Sequence, residues 1–335
     1  MLRAAGWRSG HHTLLACLAL FAGPVAGPDG AFVSAAPATH GALAFVTNQG
    51  ADTVSVVDLD QGTVIATVEV PDEPAGVAVD RRRRLVFITS AKHGELTVID
   101  GDTFAVTGSV TTGDGALGIA ADSSTGRVYV AGWYDATLRV HDSQSLGMRG
   151  QYHTGKAPSG LAVTPDGRYL LVCNRDDNEL GVISLNDGLT VARIAVGRAP
   201  FGVTVSADGH TAYTANVQSN DISVVDLEAL LATSTIAVGA MPYAIVHDPV
   251  RQRLLVTNQQ DSTVSVVDLL EQKELTRIAV GDYPEGIAIR VLARRAYVAN
   301  WFSNSLSIID LDSLSVVGEV PTGEGSRAFG SFILE

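Results

Sequence analysis

Side chains able to do chemistry are thinly and irregularly spread along this 335-residue chain. His93 lies in SAKHGEL, His153 in QYHTGK, His210 in DGHTA and His247 in VHDP. None falls in HExxH, CxxCH or GxSxG, the spacings that set a zinc pair, a covalent haem or a nucleophilic serine. His93 and Asp135 sit on neighbouring repeats, where two loops can meet to supply part of a metal site. Otherwise each is ordinary surface material. No cofactor is therefore predicted, and a divalent metal is the one cofactor that converging loops could hold. Cys173, in YLLVCNRD, fills a slot given to threonine in other copies of the same phrase, so a buried, inert thiol is expected. His141 replaces a valine and is expected to be structural.

These residues are placed by a repeat. The residue ending each VSVVD-like phrase, aspartate in six copies, recurs as Asp58, Asp100, Asp142, Ser184, Asp226, Asp268 and Asp310, every 42 residues. The residue closing each FVTN-like phrase keeps step as Asn48, Ser90, Gly132, Asn174, Asn216, Asn258 and Asn300. A third phrase, VGxxPxGIAV, gives Gly76, Gly118, Gly160, Gly202, Ala244, Gly286 and Ala328. Each unit holds four short runs rich in valine, isoleucine and threonine, separated by Asn, Asp, Gly and Pro, which reads as four strands and no helix. Seven such units predict an all-β fold, a seven-bladed propeller of four-stranded blades. The repeat begins on a second-strand phrase, GALAFVTN, and ends on an unpartnered first-strand phrase, SRAFGSFILE. Arg327–Ile333 is thus expected to complete the first blade and close the ring without a disulfide.

Composition narrows the partners. The chain is 46% hydrophobic and 18% charged, so it can bury a large core. Its formal charge of −13, with Arg81–Arg84 the single long basic run, argues against a nucleic-acid partner. That run reads as a solvated turn, with docking of an anionic partner the sharper alternative.

Residues 1–38 read as a leader. Arg3 and Arg8 precede the apolar TLLACLALFAGPVAG, and small residues follow in AFVSAAPA. A signal peptide cleaved somewhere in 26–38 leaves a single propeller over 39–335, periplasmic or secreted. It would have no stable membrane span and be monomeric or weakly oligomeric. LLAC at Leu14–Cys17 faintly resembles a lipoprotein box.

FVTN, YVAN, TVSVVD and VGxxPxGIAV resemble the YVTN-type β-propeller repeat family, over roughly Gly41 to Ile333. The resemblance implies the fold. It also implies kinship with surface-layer proteins and with the propeller portions of quinoprotein amine dehydrogenases and haem nitrite reductases, but a repeat motif transfers no chemistry.

Two columns of the repeat vary freely and should share one face of the ring. Before the repeat glycine or alanine stand Ala75, Leu117, Ser159, Phe201, Tyr243, Glu285 and Arg327. After the Asn-type residue stand Gln49, Ala91, Trp133, Arg175, Val217, Gln259 and Trp301. Loops on a rigid ring suit binding. The expectation is an aromatic-lined mouth formed by Trp133, Arg175, Phe201, Tyr243, Glu285, Trp301 and Arg327, with the two arginines available to an anion. In the contrary reading the tryptophans are loop anchors, and Glu285 with Arg327 is a local ion pair. The function expected is a non-catalytic binding or scaffold propeller presenting this face to an envelope or periplasmic protein or a small ligand. The alternatives are a periplasmic hydrolase, lactonase or lyase with a metal in the central mouth, and an accessory component of a quinoprotein or metal-dependent redox system.

Overall fold

The computed structural model describes residues 41–335, so the leader expected over 1–38, with Cys17, lies outside the described residues. Seven sheets follow one another around a ring, six of four strands and one of five. Blade one contains Leu43–Asn48, Thr53–Asp58 and Thr63–Glu69; blades two to seven begin with the innermost strands Pro74–Asp80, Ala116–Asp122, Pro158–Val163, Pro200–Val205, Pro242–Asp248 and Pro284–Arg290. In each blade the chain moves outward strand by strand, antiparallel throughout.

Burial follows that order. The second strand of blade one, LAFVTN, is buried at every position, while outermost strands such as VTGSVT alternate between exposed and half-buried. Inner strands are covered by neighbouring blades on both faces and so read as continuous apolar runs. Outer strands meet water and read as alternating ones.

Ring closure comes from the last ten residues. Ile333–Leu334 pairs antiparallel with Leu43–Asn48, Leu43 opposite Leu334, and the Phe45 N–H donates to the Phe332 carbonyl at 2.9 Å. Just before it, Phe329–Gly330 runs parallel to the innermost strand of blade two. The closing segment therefore does more than the sequence suggested, tying both blade one and blade two.

Each repeated phrase has a mechanical role. The Asn258 side-chain amide donates to Thr263 and Ser265 at 3.0 and 2.8 Å, and Asn48, Asn216 and Asn300 make the same cross-strand bonds. Thr47, Thr89 and Thr257 reach into the next blade and donate to the carbonyls of Ala75, Leu117 and Glu285. The glycine of PxGIAV sits where blades crowd the axis: a Cβ on Gly118 or Gly202 would collide with the carbonyl oxygen of Ser159 or Tyr243. The aspartate of VSVVD accepts the N–H groups of its own turn, as Asp58 does from Asp60 and Gln61 at 2.9 Å.

Candidate functional site

The two variable columns meet at one end of the ring because of a shared backbone device. Ala157, Ala199, Met241 and Tyr283 each precede the repeat proline with φ between 50° and 56°. This left-handed conformation is costly for residues with a Cβ. It aims their carbonyls at the loop after the Asn-type residue, where Arg175, Val217, Gln259 and Trp301 donate to them at 3.0 to 3.2 Å. Each blade thereby holds its two variable residues side by side.

All seven expected residues arrive at this end, but their own side chains fill the space. Phe201 and Tyr243 stack with ring centroids 4.0 Å apart, and Phe329 packs edge-on against both at 4.9 and 5.5 Å. Trp133 leans on Phe201 at 6.0 Å, and the Arg175 guanidinium lies over Trp133 at 5.8 Å while bonding Asp176 at 2.6 Å. Phe201, Tyr243 and Phe329 are buried. The aromatic residues form a plug.

The charges are matched within the same plug. Arg327 donates through Nε and Nη2 to the Glu285 carboxylate, and Gln259 donates to it at 2.9 Å. Nη2 also reaches the Tyr243 hydroxyl at 3.1 Å and Nη1 the Gln49 side-chain amide oxygen at 3.3 Å. Trp301 covers the guanidinium at 4.9 Å and stacks on Phe302. Burial lifts the Glu285 carboxyl above its ordinary value, while Arg327 and then Gln259 draw it back. Burial likewise pushes the Tyr243 phenol up, the Glu285 charge adding to it. Glu285 is only 1% exposed, so Arg327 is its counter-charge and has no free valence for an external anion.

Other expectations resolve locally. His93 bonds Asp72 at 2.6 Å, whereas Asp135 bonds Thr137 and Arg139, so the pair suggested for a metal does not form. Cys173 is fully buried and its thiol is pushed up by that burial. His141 is buried with Nδ1 2.9 Å from the Leu146 carbonyl. In the basic run, Arg83 and Arg84 pair with Asp80 and Asp102, and Arg81 and Arg82 face solvent.

Sequence reasoning passed over the other end of the axis. There a channel of about 440 Å³ runs inward between the innermost strands, past Leu161, Val163, Val203, Val205 and Val246, to Phe329 of the plug. Arg81, Ser123 and Pro165 stand at its rim, beside the turns that join first to second strands. Half-buried valine and leucine in these innermost strands look like core in the sequence; what distinguishes them is an axis too wide for their side chains to fill. Gln259, Gln49 and Phe329 were also missed, although the first two lie in the variable column. Among the described residues no three His, Cys, Asp or Glu side chains converge. The aspartates at the strand ends are bonded elsewhere, Asp80 to Arg82, Arg83 and the Arg83 guanidinium, and Asp248 to Val250 and Arg294.

The fold and axis define a seven-bladed propeller with one end plugged and the other open. The family model "Lactonase, 7-bladed beta-propeller" matches residues 34–229, more than half of the chain, and the protein belongs to that family. Among solved structures it is similar to Kuenenia stuttgartiensis hydrazine synthase, with a TM-score of 0.69 and 19% identity over 76% of this chain and 88% of that one. A protein of unknown function from Desulfotomaculum acetoxidans DSM 771 superimposes with a TM-score of 0.74 and 15% identity, covering 86% and 99% of the two chains. Dihydro-heme d1 dehydrogenase NirN, solved in complex with DHE, gives 0.66 and 18%, covering 84% and 73%. At these identities the likeness is one of fold. No curated protein matches the chain.

Proposed function

We propose that this chain is an exported, non-catalytic binding propeller that takes a small, largely apolar ligand into its central channel from the end bearing Arg81 and Ser123. One observation carries this reading: the channel is lined largely by apolar residues, reaches Phe329 of the plug and is about 440 Å³ in volume, within the range of small-molecule sites. Burial of the ligand body against Leu161, Val203 and Val205 supplies the affinity, at about 25 cal/mol per Å² of apolar surface. Arg81 and Ser123 orient a polar end at the rim. The plug gives the channel a rigid floor. The repeat phrases support placing the chain with YVTN-type propellers inside its family, and the leader supports a periplasmic or secreted location. Gentle purification of the mature protein, organic extraction and mass spectrometry test the reading. A reproducible, near-stoichiometric apolar compound is expected; empty extracts together with no saturable uptake of any apolar probe would sink it.

Family membership favours one second reading, hydrolysis of a lactone in the same channel. A pH-stat assay over a panel of lactones decides: turnover that Leu161→Trp abolishes by filling the channel would replace the binding reading with the hydrolytic one.

A further inference from the structure

A separate cleft opens between blades three and four, at the same end of the ring but away from the axis. Its volume is about 360 Å³. Blade three contributes Thr125, Arg127 and Tyr129, and blade four contributes Arg168, Ser184 and Asn186. Every one of these side chains can donate a hydrogen bond. The Tyr129 ring is fully buried, yet its hydroxyl has no hydrogen-bond partner, Arg127 standing beside it without closing a well-formed bond. An orphaned buried hydroxyl costs free energy and calls for an acceptor.

Arg127, beside Tyr129, forms no ion pair among the described residues. Asp135 and Asp142, on its own blade, are held by Arg139 and Arg149. Asp122 lines the cleft too, but its two oxygens accept from Ser124 and Thr125, at 2.6 Å for each hydroxyl. Arg168 pairs with Asp166 on its own turn and lies over Tyr169. The same column in blade seven shows the contrast. Tyr297 stands beside Arg290, and that arginine is paired with both Asp60 and Glu335 at 2.8 Å. Blade one supplies those counter-charges across the seam to blade seven; among the described residues Arg127 forms no ion pair.

We infer that the cleft between blades three and four binds a small organic oxyanion, a carboxylate or phosphate group on a compact body, with Arg127 as the charge partner and the Tyr129 hydroxyl as a buried donor. The oxyanion supplies what both groups lack, an acceptor and a negative charge, and a charge-assisted bond to a buried donor is among the stronger hydrogen bonds. Burial holds the phenol protonated, its pKa pushed up to about 12, so the donor persists across the working pH range. The cleft volume exceeds what a bare inorganic ion fills, which leaves room for the organic body.

Calorimetric titration of the mature protein with phenyl phosphate and with benzoate, at low ionic strength, tests this. Saturable binding of at least one probe is expected, weakened by added salt. Tyr129→Phe keeps the packing and removes only the hydroxyl, so affinity should fall about tenfold or more with the thermal midpoint unchanged or raised. Arg127→Met should abolish binding, while Tyr297→Phe and Leu161→Trp should leave it intact. Absence of saturable binding by both probes, or binding that Tyr129→Phe and Arg127→Met leave unchanged, would overturn the inference. An ordered water satisfying Tyr129 would give the first of those results. Because Leu161→Trp fills the channel and not the cleft, failure here is distinguishable from failure of the channel reading.

Discussion

The two ends of this propeller's axis are built from the same strand and treated in opposite ways. At its start, the innermost strand carries the most varied residues of the repeat, and they interlock: Phe201 on Tyr243, Phe329 on both, Glu285 on Arg327. At its finish the same strand carries repetitive valine, leucine and alanine, and they leave a channel. Sequence variety inside a repeat is therefore no sign of an open binding face. Here it marks the end where seven unlike side chains must be fitted into one closed cluster, and uniform small apolar residues mark the end left open.

The largest effect should come from breaking the plug's charge pair. Arg327→Met leaves Glu285 buried without its counter-charge and should cost about 3–5 kcal/mol in denaturant unfolding. Adding Glu285→Gln should recover most of that loss, and a single variant as stable as the parent would show that the plug is not a tightly coupled unit. Phe201→Ala removes the ring at the centre of the aromatic cluster and should cost about 3 kcal/mol or more. It should also open the channel floor, which increased hydrogen exchange in the loops carrying Trp133 and Tyr243 would report. Mild acid should separate the ends with a smaller effect. At the open end the Asp142 carboxyl lies below its ordinary value because the Ser145 N–H, and next Arg149, bond its ionised form; Asp268 is lowered by the Glu271 N–H. A depressed folded value means this stabilisation is complete above the unfolded carboxylate value of about 4 and is lost as pH falls through the folded one. Hydrogen exchange in the turns after Asp142 and Asp268 should therefore rise below about pH 4, and Asp142→Asn should remove the pH response at the first turn.

Much of this was legible in the sequence. Period, strand number, ring closure and the turn role of the VSVVD aspartate follow from local patterns that the blades repeat, and Asn48 or Gly118 stands for a role that most copies share. The site was legible only as a location. The columns containing Phe201, Tyr243, Glu285 and Arg327 do converge, but whether converging side chains line a cup or fill it depends on the ring's radius, which no local pattern encodes. Phe329 shows why. It lies in the closing segment that pairs with blade two, so its contact with Phe201 exists only once the ring is shut. The channel was invisible for the converse reason: Val203 and Val205 are written like core valines, and only the ring's geometry leaves them half-buried.

The most direct measurement is a fluorescence titration with N-phenyl-1-naphthylamine, a neutral apolar probe, on the parent, Leu161→Trp and Trp301→Ala. Leu161→Trp is the smallest perturbation to stability, within about 1 kcal/mol, since the site is half-buried and open. The account predicts one saturable site, weakened about tenfold or more by Leu161→Trp and untouched by Trp301→Ala. Binding that survives Leu161→Trp but is lost in Trp301→Ala would place the site at the plugged end and contradict it.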